Sequence, residues 1–159
     1  MTYRTVPFKR WHLAWIEEAG DSEGGFFSPD LGTLVALERM PNMWTMLWED
    51  VPLLCGGTIQ HWPGRHEAWA YLNKNTGRHM IYTTKMAREK LAIPKGRIEF
   101  TVRRDFALGH RWARILGFEV EQCRGLHVEK VPVGQWVPGQ MKAWGPEQED
   151  HVQYVRHNK

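Results

Sequence analysis

The amino-acid sequence predicts an α/β (α+β) fold in which a mixed sheet carries helices on its faces. Extended and helical patterns follow one another in the order β-α-α-β-β-β-α-β-α-β-β. Residues 97–118 show this most clearly, because they pass from a strand to an amphipathic helix and straight back to a strand. The length of 159 residues suits one domain with a substantial core.

The N-terminal part of the chain predicts a short strand at 2–6 and then two helices. The first helix places large apolar residues at i, i+3 and i+7, which are Phe8, Trp11 and Trp15. The second helix starts at Ser28, because a serine hydroxyl can cap the first turn of a helix. Both helices are expected on the faces of the sheet formed by the later strands.

Three strands are predicted next, at 43–48, 53–60 and 67–72. The middle strand contains Gly56 and Gly57. Two glycines inside a strand indicate either a bulge or the close approach of another part of the chain.

The third helix is predicted at 78–92 and ends before Pro94. Its inward stripe follows helical spacing and consists of Met80, Thr84, Ala87 and Leu91. Its charged residues, which are expected to face solvent, are Lys85, Arg88, Glu89 and Lys90. This arrangement is typical of an amphipathic helix packed on a sheet.

A strand beginning at Arg97 leads into the last helix. Asp105 is the predicted N-cap of this helix, and Gly117 is the residue that ends it. The predicted apolar face consists of Leu108, Trp112, Ile115 and Leu116. All four side chains are therefore expected in the core.

The C-terminal part predicts strands near 118–123 and 125–131, which complete a single domain at 1–131. The segment 132–159 contains several prolines and glycines before a polar, histidine-containing end. We interpret it as a tail or arm that lies outside the core.

The composition is ordinary for a globular protein, with 42% hydrophobic and 25% charged residues. The nine tryptophans are spread along the chain, which favours core packing over an aromatic ligand cage. The two cysteines have no metal-ligand or disulfide spacing, and no run is long enough to span a membrane, so the sequence predicts a cytoplasmic protein without a metal site. The net charge of +3 is scattered and gives little support for nucleic-acid binding.

Residues 110–118, HRWARILGF, resemble the last helix of the GNAT superfamily of acyl-CoA-dependent N-acetyltransferases. That helix typically closes with Leu-Gly-Phe and returns at once to a strand. The order of elements is similar to that family over residues 3–131, and the Arg-Trp form most resembles short members encoded by tailed bacteriophages. The resemblance implies a mixed, mostly antiparallel sheet flanked by about four helices, acetyl-CoA as the co-substrate and an amine as the acyl acceptor.

The resemblance also implies a loop that binds the CoA pyrophosphate through backbone N–H groups at a helix start. The matching segment is 74–79, in which Gly77 fits the family pattern. The implied cofactor-binding residues are Ala70, Tyr71, Leu72, Lys74, Thr76, Gly77, Arg78 and His79. A polar loop that only caps the helix is the alternative interpretation.

The implied chemistry needs a base for the amine and an acid for the leaving thiolate. Glu67 is the candidate base, on a strand face that it shares with Tyr71, and a solvated strand-end carboxylate is the alternative. The family's usual tyrosine acid falls at Ala113, which cannot donate a proton. Tyr82 is therefore the candidate acid, with His110 or water as alternatives.

An N-acetyltransferase is the leading hypothesis. A catalytically silent protein of the same fold, which binds a host or virion protein, is the second, because the expected tyrosine is missing. Phe26 and Phe27 could line an acceptor pocket or anchor their loop to the core. The acceptor stays open, and a homodimer is a further expectation if the tail exchanges between subunits.

Overall fold

An eight-stranded sheet forms the centre of the computed structural model, which describes residues 2–18, 22–23, 30–103, 106–121 and 151–159. The strands are β1 Tyr3–Pro7, β2 Ser22–Glu23, β3 Met43–Trp48, β4 Val51–Trp62, β5 Arg65–Asn73, β6 Gly96–Arg103, β7 Glu119–Val120 and β8 His151–Asn158. Seven of them follow the order β1-β3-β4-β5-β6-β8-β7, and β2 pairs with β5. Only β5 and β6 are parallel among the described strand pairs, so the prediction of a mixed, mostly antiparallel sheet is confirmed.

The helices divide between the two faces of the sheet. They are α1 Arg10–Glu18, α2 Leu31–Arg39, α3 Met80–Leu91 and α4 Ala107–Ile115, with a 3₁₀ helix at Lys74–His79 directly before α3. α1 and α2 bury Leu13 and Leu37 in one core cluster with Trp69 of β5. α3 and α4 pack in a second cluster with Ala68 and Ala70 of the same strand. Alternate residues of β5 therefore face opposite sides of the sheet.

β5 and β6 separate after a short parallel contact. Their register pairs end at Glu67 with Glu99, and no pairing between the two strands is described beyond that point. β4 occupies one edge of β5 as far as Leu72, so β2, which pairs with Leu72 and Asn73, must lie on the other edge. Residues 68–71 of β5 therefore border a V-shaped gap that has Glu67 at its apex.

The glycine pair in β4 marks a close approach. A Cβ at Gly56 would stand 2.8 Å from the Trp69 carbonyl oxygen, and one at Gly57 would stand 2.6 Å from the Asn42 carbonyl oxygen. The register runs through both glycines without a shift, and the irregularities of β4 lie elsewhere. Close packing, and not a bulge, accounts for the two residues.

The predicted apolar face of the first helix is wrong. Trp11 and Trp15 are 54% and 49% exposed, and α1 instead buries Leu13 and Ile16. Phe8 is buried, but it precedes the helix. The large aromatic residues suggested the wrong stripe, because a tryptophan can lie on the surface while smaller side chains fill the core.

Two helix starts also differ from the prediction. α2 begins at Leu31, and Asp30 is its N-cap, with a carboxylate that accepts the Thr33 N–H at 2.7 Å. Ser28 lies outside the described residues. α3 begins at Met80, because the preceding residues form the 3₁₀ helix, and the residues that it buries are Thr83, Met86, Ala87 and Leu91.

The last helix is predicted correctly in position but only partly in its apolar face. Trp112 and Leu116 are buried, whereas Leu108 and Ile115 are 65% and 44% exposed. Phe106 precedes the first turn and gives no side-chain cap. Asp105, the predicted cap, lies outside the described residues.

The C-terminal end contradicts the interpretation of the whole segment after residue 131 as a tail outside the core. Residues 151–158 form β8, which lies between β6 and β7 and pairs along the full length of β6. Tyr154 is buried to 1% exposure in the core. Tyr154 and Val155 stand among polar residues in this strand, and the polar composition concealed it.

Only some of the remaining C-terminal predictions fall on described residues. The strand predicted near 118–123 corresponds to β7 at Glu119–Val120, while the strand predicted at 125–131 lies outside the described residues. The domain boundary at 131 stays a prediction. Within the described part of the chain, no helix is long and apolar enough to cross a membrane.

Candidate active site

A cleft of about 910 Å³ lies between the start of α3 and the outer side of α4. Leu72 at the end of β5, Gly77 of the 3₁₀ helix and Trp112 of α4 contribute to its walls. Its size is in the range of pockets that hold drug-sized ligands and cofactors. Leu72 directly follows residues 68–71, so the cleft reaches the end of the segment of β5 that borders the gap.

The structure places four of the predicted cofactor-binding residues in this cleft. They are Leu72, Lys74, Thr76 and Gly77. Ala70 and Tyr71 are buried on opposite faces of the sheet, so only their backbone edge can face the gap. Arg78 is exposed and does not line the cleft.

His79 is turned away from the cleft. It is 7% exposed, and its Nδ1 lies 2.7 Å from the Tyr3 hydroxyl oxygen. Its ring also packs on Trp48, with 4.8 Å between the ring centroids. The imidazole therefore anchors the start of α3 to β1 and β3 and leaves the cleft side of the loop open.

Gly77 is a glycine that the fold itself does not require. A Cβ at this position would have no neighbour within 4 Å, and the backbone does not lie in the left-handed region that favours glycine. Because Gly77 lines the cleft, the lack of a side chain leaves its backbone accessible to a ligand.

Side-chain hydrogen bonds hold the 3₁₀ helix against β4. The Thr76 hydroxyl donates to the Leu53 carbonyl at 2.8 Å. The Asn73 side chain accepts the Asn75 N–H at 2.9 Å and donates to the Pro52 carbonyl at 3.3 Å. These bonds fix the loop before any ligand arrives, which lowers the entropy cost of binding.

The α4 wall of the cleft was missed by the sequence prediction. Leu108 and Ile115, which were assigned to the core, give this wall exposed apolar surface. The charged residues of the lining are Lys74, Lys85, Arg88, Glu89 and Arg111. Four cations and one carboxylate make the cleft positive, which attracts an anionic ligand. Leucine and isoleucine at helical spacing were the available signal for this wall in the sequence, but the same spacing is typical of core residues.

Glu99 at the apex of the gap is held by two arginines. Arg65 donates from Nε and Nη2 to its two oxygens, each at 3.0 Å, and Arg97 donates at 2.7 Å. Arg97 also bonds Glu121 at 2.5 Å. Burial by itself would raise the pKa of Glu99, but the hydrogen bonds from Arg65 and Arg97 outweigh it, and the pKa is lowered.

Glu67 stands in register with Glu99 but has a different partner. Its Oε2 lies 2.8 Å from Nε2 of His61, and its side chain is 28% exposed. Parallel register partners face the same side of a sheet, so both carboxylates lie on the face that carries α1 and α2. His61 was not among the predicted site residues.

The structure does not bring Tyr82 near Glu67. Tyr82 is 52% exposed and stacks on Tyr3 of β1, with 4.1 Å between ring centroids. β3 and β4 separate β1 from β5, which carries Glu67. Ala113 is fully buried in the core. The described residues therefore offer no tyrosine acid where the sequence resemblance expects one.

His110, the alternative candidate for the acid, makes a contact within the fold. Nδ1 of His110 lies 2.8 Å from the Tyr154 hydroxyl oxygen, so His110 joins α4 to β8. It does not line the cleft. Phe26 and Phe27, proposed for an acceptor pocket, lie outside the described residues.

Comparison with solved structures places this fold among acetyltransferases. A GNAT-family acetyltransferase from Bacillus anthracis is 12% identical, with a TM-score of 0.59 over 99% of this chain and 95% of that chain. The ribosomal-protein-S18-alanine N-acetyltransferase of Escherichia coli is 8% identical, with a TM-score of 0.59 over 97% and 92%. YncA of Salmonella typhimurium, a putative acetyltransferase solved with acetyl-CoA, is 13% identical, with a TM-score of 0.57 over 100% and 95%.

This chain therefore has the fold of the GNAT acetyltransferases. No family model matches its sequence, and a search of curated proteins gave no match. At these sequence identities the likeness establishes the fold alone. The activity has to be argued from the site.

Proposed function

We propose that this protein is an acyl-CoA-dependent N-acyltransferase that transfers an acetyl group from acetyl-CoA to an amine. The observation that carries the proposal is that the cleft and the gap meet along β5. The cleft reaches β5 at Leu72, and the segment 68–71 that borders the gap lies between Leu72 and Glu67. A long anionic thioester could thus bind with its phosphates in the cleft and its acyl group near a carboxylate.

The cleft supports this proposal through its charge and its apolar walls. Lys74, Lys85 and Arg111 would attract the CoA phosphates, and the backbone at Gly77 is open to close approach. Leu108 and Ile115 would cover apolar parts of the cofactor. Backbone groups of Ala68 and Ala70 would give the pantetheine arm hydrogen-bonding partners of the kind that an added strand receives.

Glu67 would act as the base in the proposed reaction. A primary aliphatic amine is mostly protonated at neutral pH, so one proton must leave before attack. Glu67 takes this proton, and the neutral nitrogen attacks the thioester carbonyl carbon. The C–N bond forms, the C–S bond breaks, and the second nitrogen proton passes through water to the CoA thiolate. Water carries the proton to the thiolate in this scheme, because Ala113 stands where the family's usual tyrosine acid would be and cannot donate a proton.

The test of this proposal is the release of the CoA thiol from acetyl-CoA. Acceptor pools of polyamines, aminoglycosides and lysine peptides would be offered, and acetylated products identified by their mass increase. We expect thiol release that depends on protein and acceptor. Absence of thiol release with every pool and with water would overturn the enzyme proposal.

The second candidate is a catalytically silent protein that uses the same fold to bind a host or virion protein. It is favoured by the buried Ala113 and by the distance of Tyr82 from Glu67. Stable capture of a partner protein without thiol release would support it. The similarity of residues 110–118 to short bacteriophage proteins supports a phage origin and action in the host cytoplasm, and both remain part of the proposal.

A further inference from the structure

We propose that His61 is a positioning residue for Glu67. In this assignment His61 donates its Nε2–H to Oε2 of Glu67 and leaves Oε1 to take the proton of the amine. The inference rests on the proposed function and adds a residue to it. Its first support is the 2.8 Å separation of the two atoms.

The register of β4 and β5 places His61 on the same face as Glu67. Ile59 is the register partner of Glu67, and His61 lies two residues further along β4, so both point to one side of the sheet. Gln60 pairs with His66 and Trp62 with Arg65, so a one-residue bulge falls at His61. Bulges are frequent beside active sites.

Arg65 lies two residues before Glu67 but binds Glu99. Arg65 donates to both oxygens of Glu99, and its guanidinium lies 4.4 Å from the ring centroid of Trp62. A guanidinium on a carboxylate favours the ionised form and weakens the group as a base. An imidazole N–H can orient Glu67 through a hydrogen bond without placing a guanidinium on the carboxylate. The two glutamates thus receive different kinds of donor.

The proton path in the proposed step is balanced. The ammonium of the acceptor gives one proton to Oε1 of Glu67, and the His61 bond to Oε2 holds the carboxyl group in place during the transfer. After the acetyl group has moved and CoA thiol has left, Glu67 releases the proton to water. His61 and Glu67 then carry the same protons as before the reaction.

The test compares three variants of His61 in the thiol-release assay, with acetyl-CoA and the acceptor pool, of all those offered, that gives the wild type its fastest turnover. His61→Leu removes the donor, His61→Asn keeps a polar but shorter side chain, and His61→Gln can still donate to Glu67. We expect kcat to fall about tenfold or more in His61→Leu and His61→Asn, with the KM for acetyl-CoA unchanged. His61→Gln should keep kcat within about threefold of the wild type, because the donor is retained.

His66→Gln is the matched control. His66 directly precedes Glu67 but faces the other side of β5, where its Nε2 lies 3.1 Å from the Lys95 carbonyl oxygen. Its kcat should equal that of the wild type. Circular dichroism of each variant separates a folding defect from a kinetic one.

Three results would overturn the inference. They are an unchanged kcat in His61→Leu and His61→Asn, an equal loss in all three His61 variants, or a loss that appears only in the KM for acetyl-CoA. If the wild type turns over and the His61 variants behave in one of these ways, only the role of His61 fails. If the wild type releases no thiol, the proposed function fails as well.

Discussion

Glu67 and Glu99 are register partners in the same parallel strand pair, yet their surroundings differ. Glu99 is 8% exposed and receives hydrogen bonds from two arginines, which hold it as a fixed negative charge. Glu67 is more exposed and meets a histidine. The comparison shows how neighbouring cations can turn one carboxylate into a structural clamp, while its register partner contacts a histidine instead.

The clamp has a consequence for the gap. Arg65 belongs to β5 and Glu99 to β6, so the two bonds between them join the strands at the base of the V, while Arg97 supports Glu99 from within β6. Above this point the strands separate. The ion network therefore fixes the place where the gap begins, and Glu67 lies at that place.

The largest expected effect is on catalysis by Glu67→Gln. The amide keeps the size of the side chain but cannot accept the amine proton as a carboxylate does, so kcat should fall about 100-fold or more. The affinity for acetyl-CoA and the free energy of unfolding should stay close to the wild-type values. Thiol release, calorimetric titration and urea unfolding measure the three quantities. An unchanged kcat would show that Glu67 is not the base.

The second effect is on stability in Glu99→Gln. The change leaves Arg65 and Arg97 with weaker partners near the core, and removal of one member of a buried ion pair costs about 3–5 kcal/mol. We expect about 3 kcal/mol, because Arg97 keeps its bond to Glu121. Urea unfolding measures the loss. Glu119→Gln, on the exposed strand β7, is the control and should change stability by less than about 0.5 kcal/mol. Equal stability of both variants would contradict the clamp.

The third and smallest effect is a change with pH in the stability difference between the wild type and Glu99→Gln. The pKa of Glu99 is lowered in the folded state from its usual value of 4.5. The stabilisation is therefore present above that value and is lost as the pH falls through the lower folded pKa. The stability gap between wild type and Glu99→Gln should be constant from pH 7 to pH 6 and narrow below about pH 4. A gap that stays constant down to pH 3 would contradict the lowered pKa.

The sheet was predictable because its periodicity is simple. In β5, alternate residues enter opposite core clusters, and this can be seen directly in the sequence. Helix faces were harder. Leu108 has the spacing of a core residue but is exposed, since apolar residues around a cleft repeat with the same period as those of a core.

Other features depend on contacts between segments that are distant in the sequence. β8 forms at 151–158 because β6 and β7 offer edges on both sides, although its composition resembles that of a polar tail. The contact of His61 with Glu67 depends on the register of β4 against β5, which no local pattern in the sequence reports. The candidate loop at Gly77 could be found from its glycine, whereas the α4 wall required the packed structure.

The central claim, that acyl-CoA binds in the cleft, is tested most directly by calorimetric titration of acetyl-CoA into wild type, Gly77→Glu and Asn75→Glu. Gly77 lines the cleft, and a glutamate there would repel the phosphates, whereas Asn75 is exposed on the same 3₁₀ helix but outside the lining. We expect binding by the wild type, an affinity within about tenfold of it for Asn75→Glu, and a loss of about 100-fold or more for Gly77→Glu. No heat of binding by the folded wild type at millimolar acetyl-CoA, or equal affinity of wild type and Gly77→Glu, would contradict the claim.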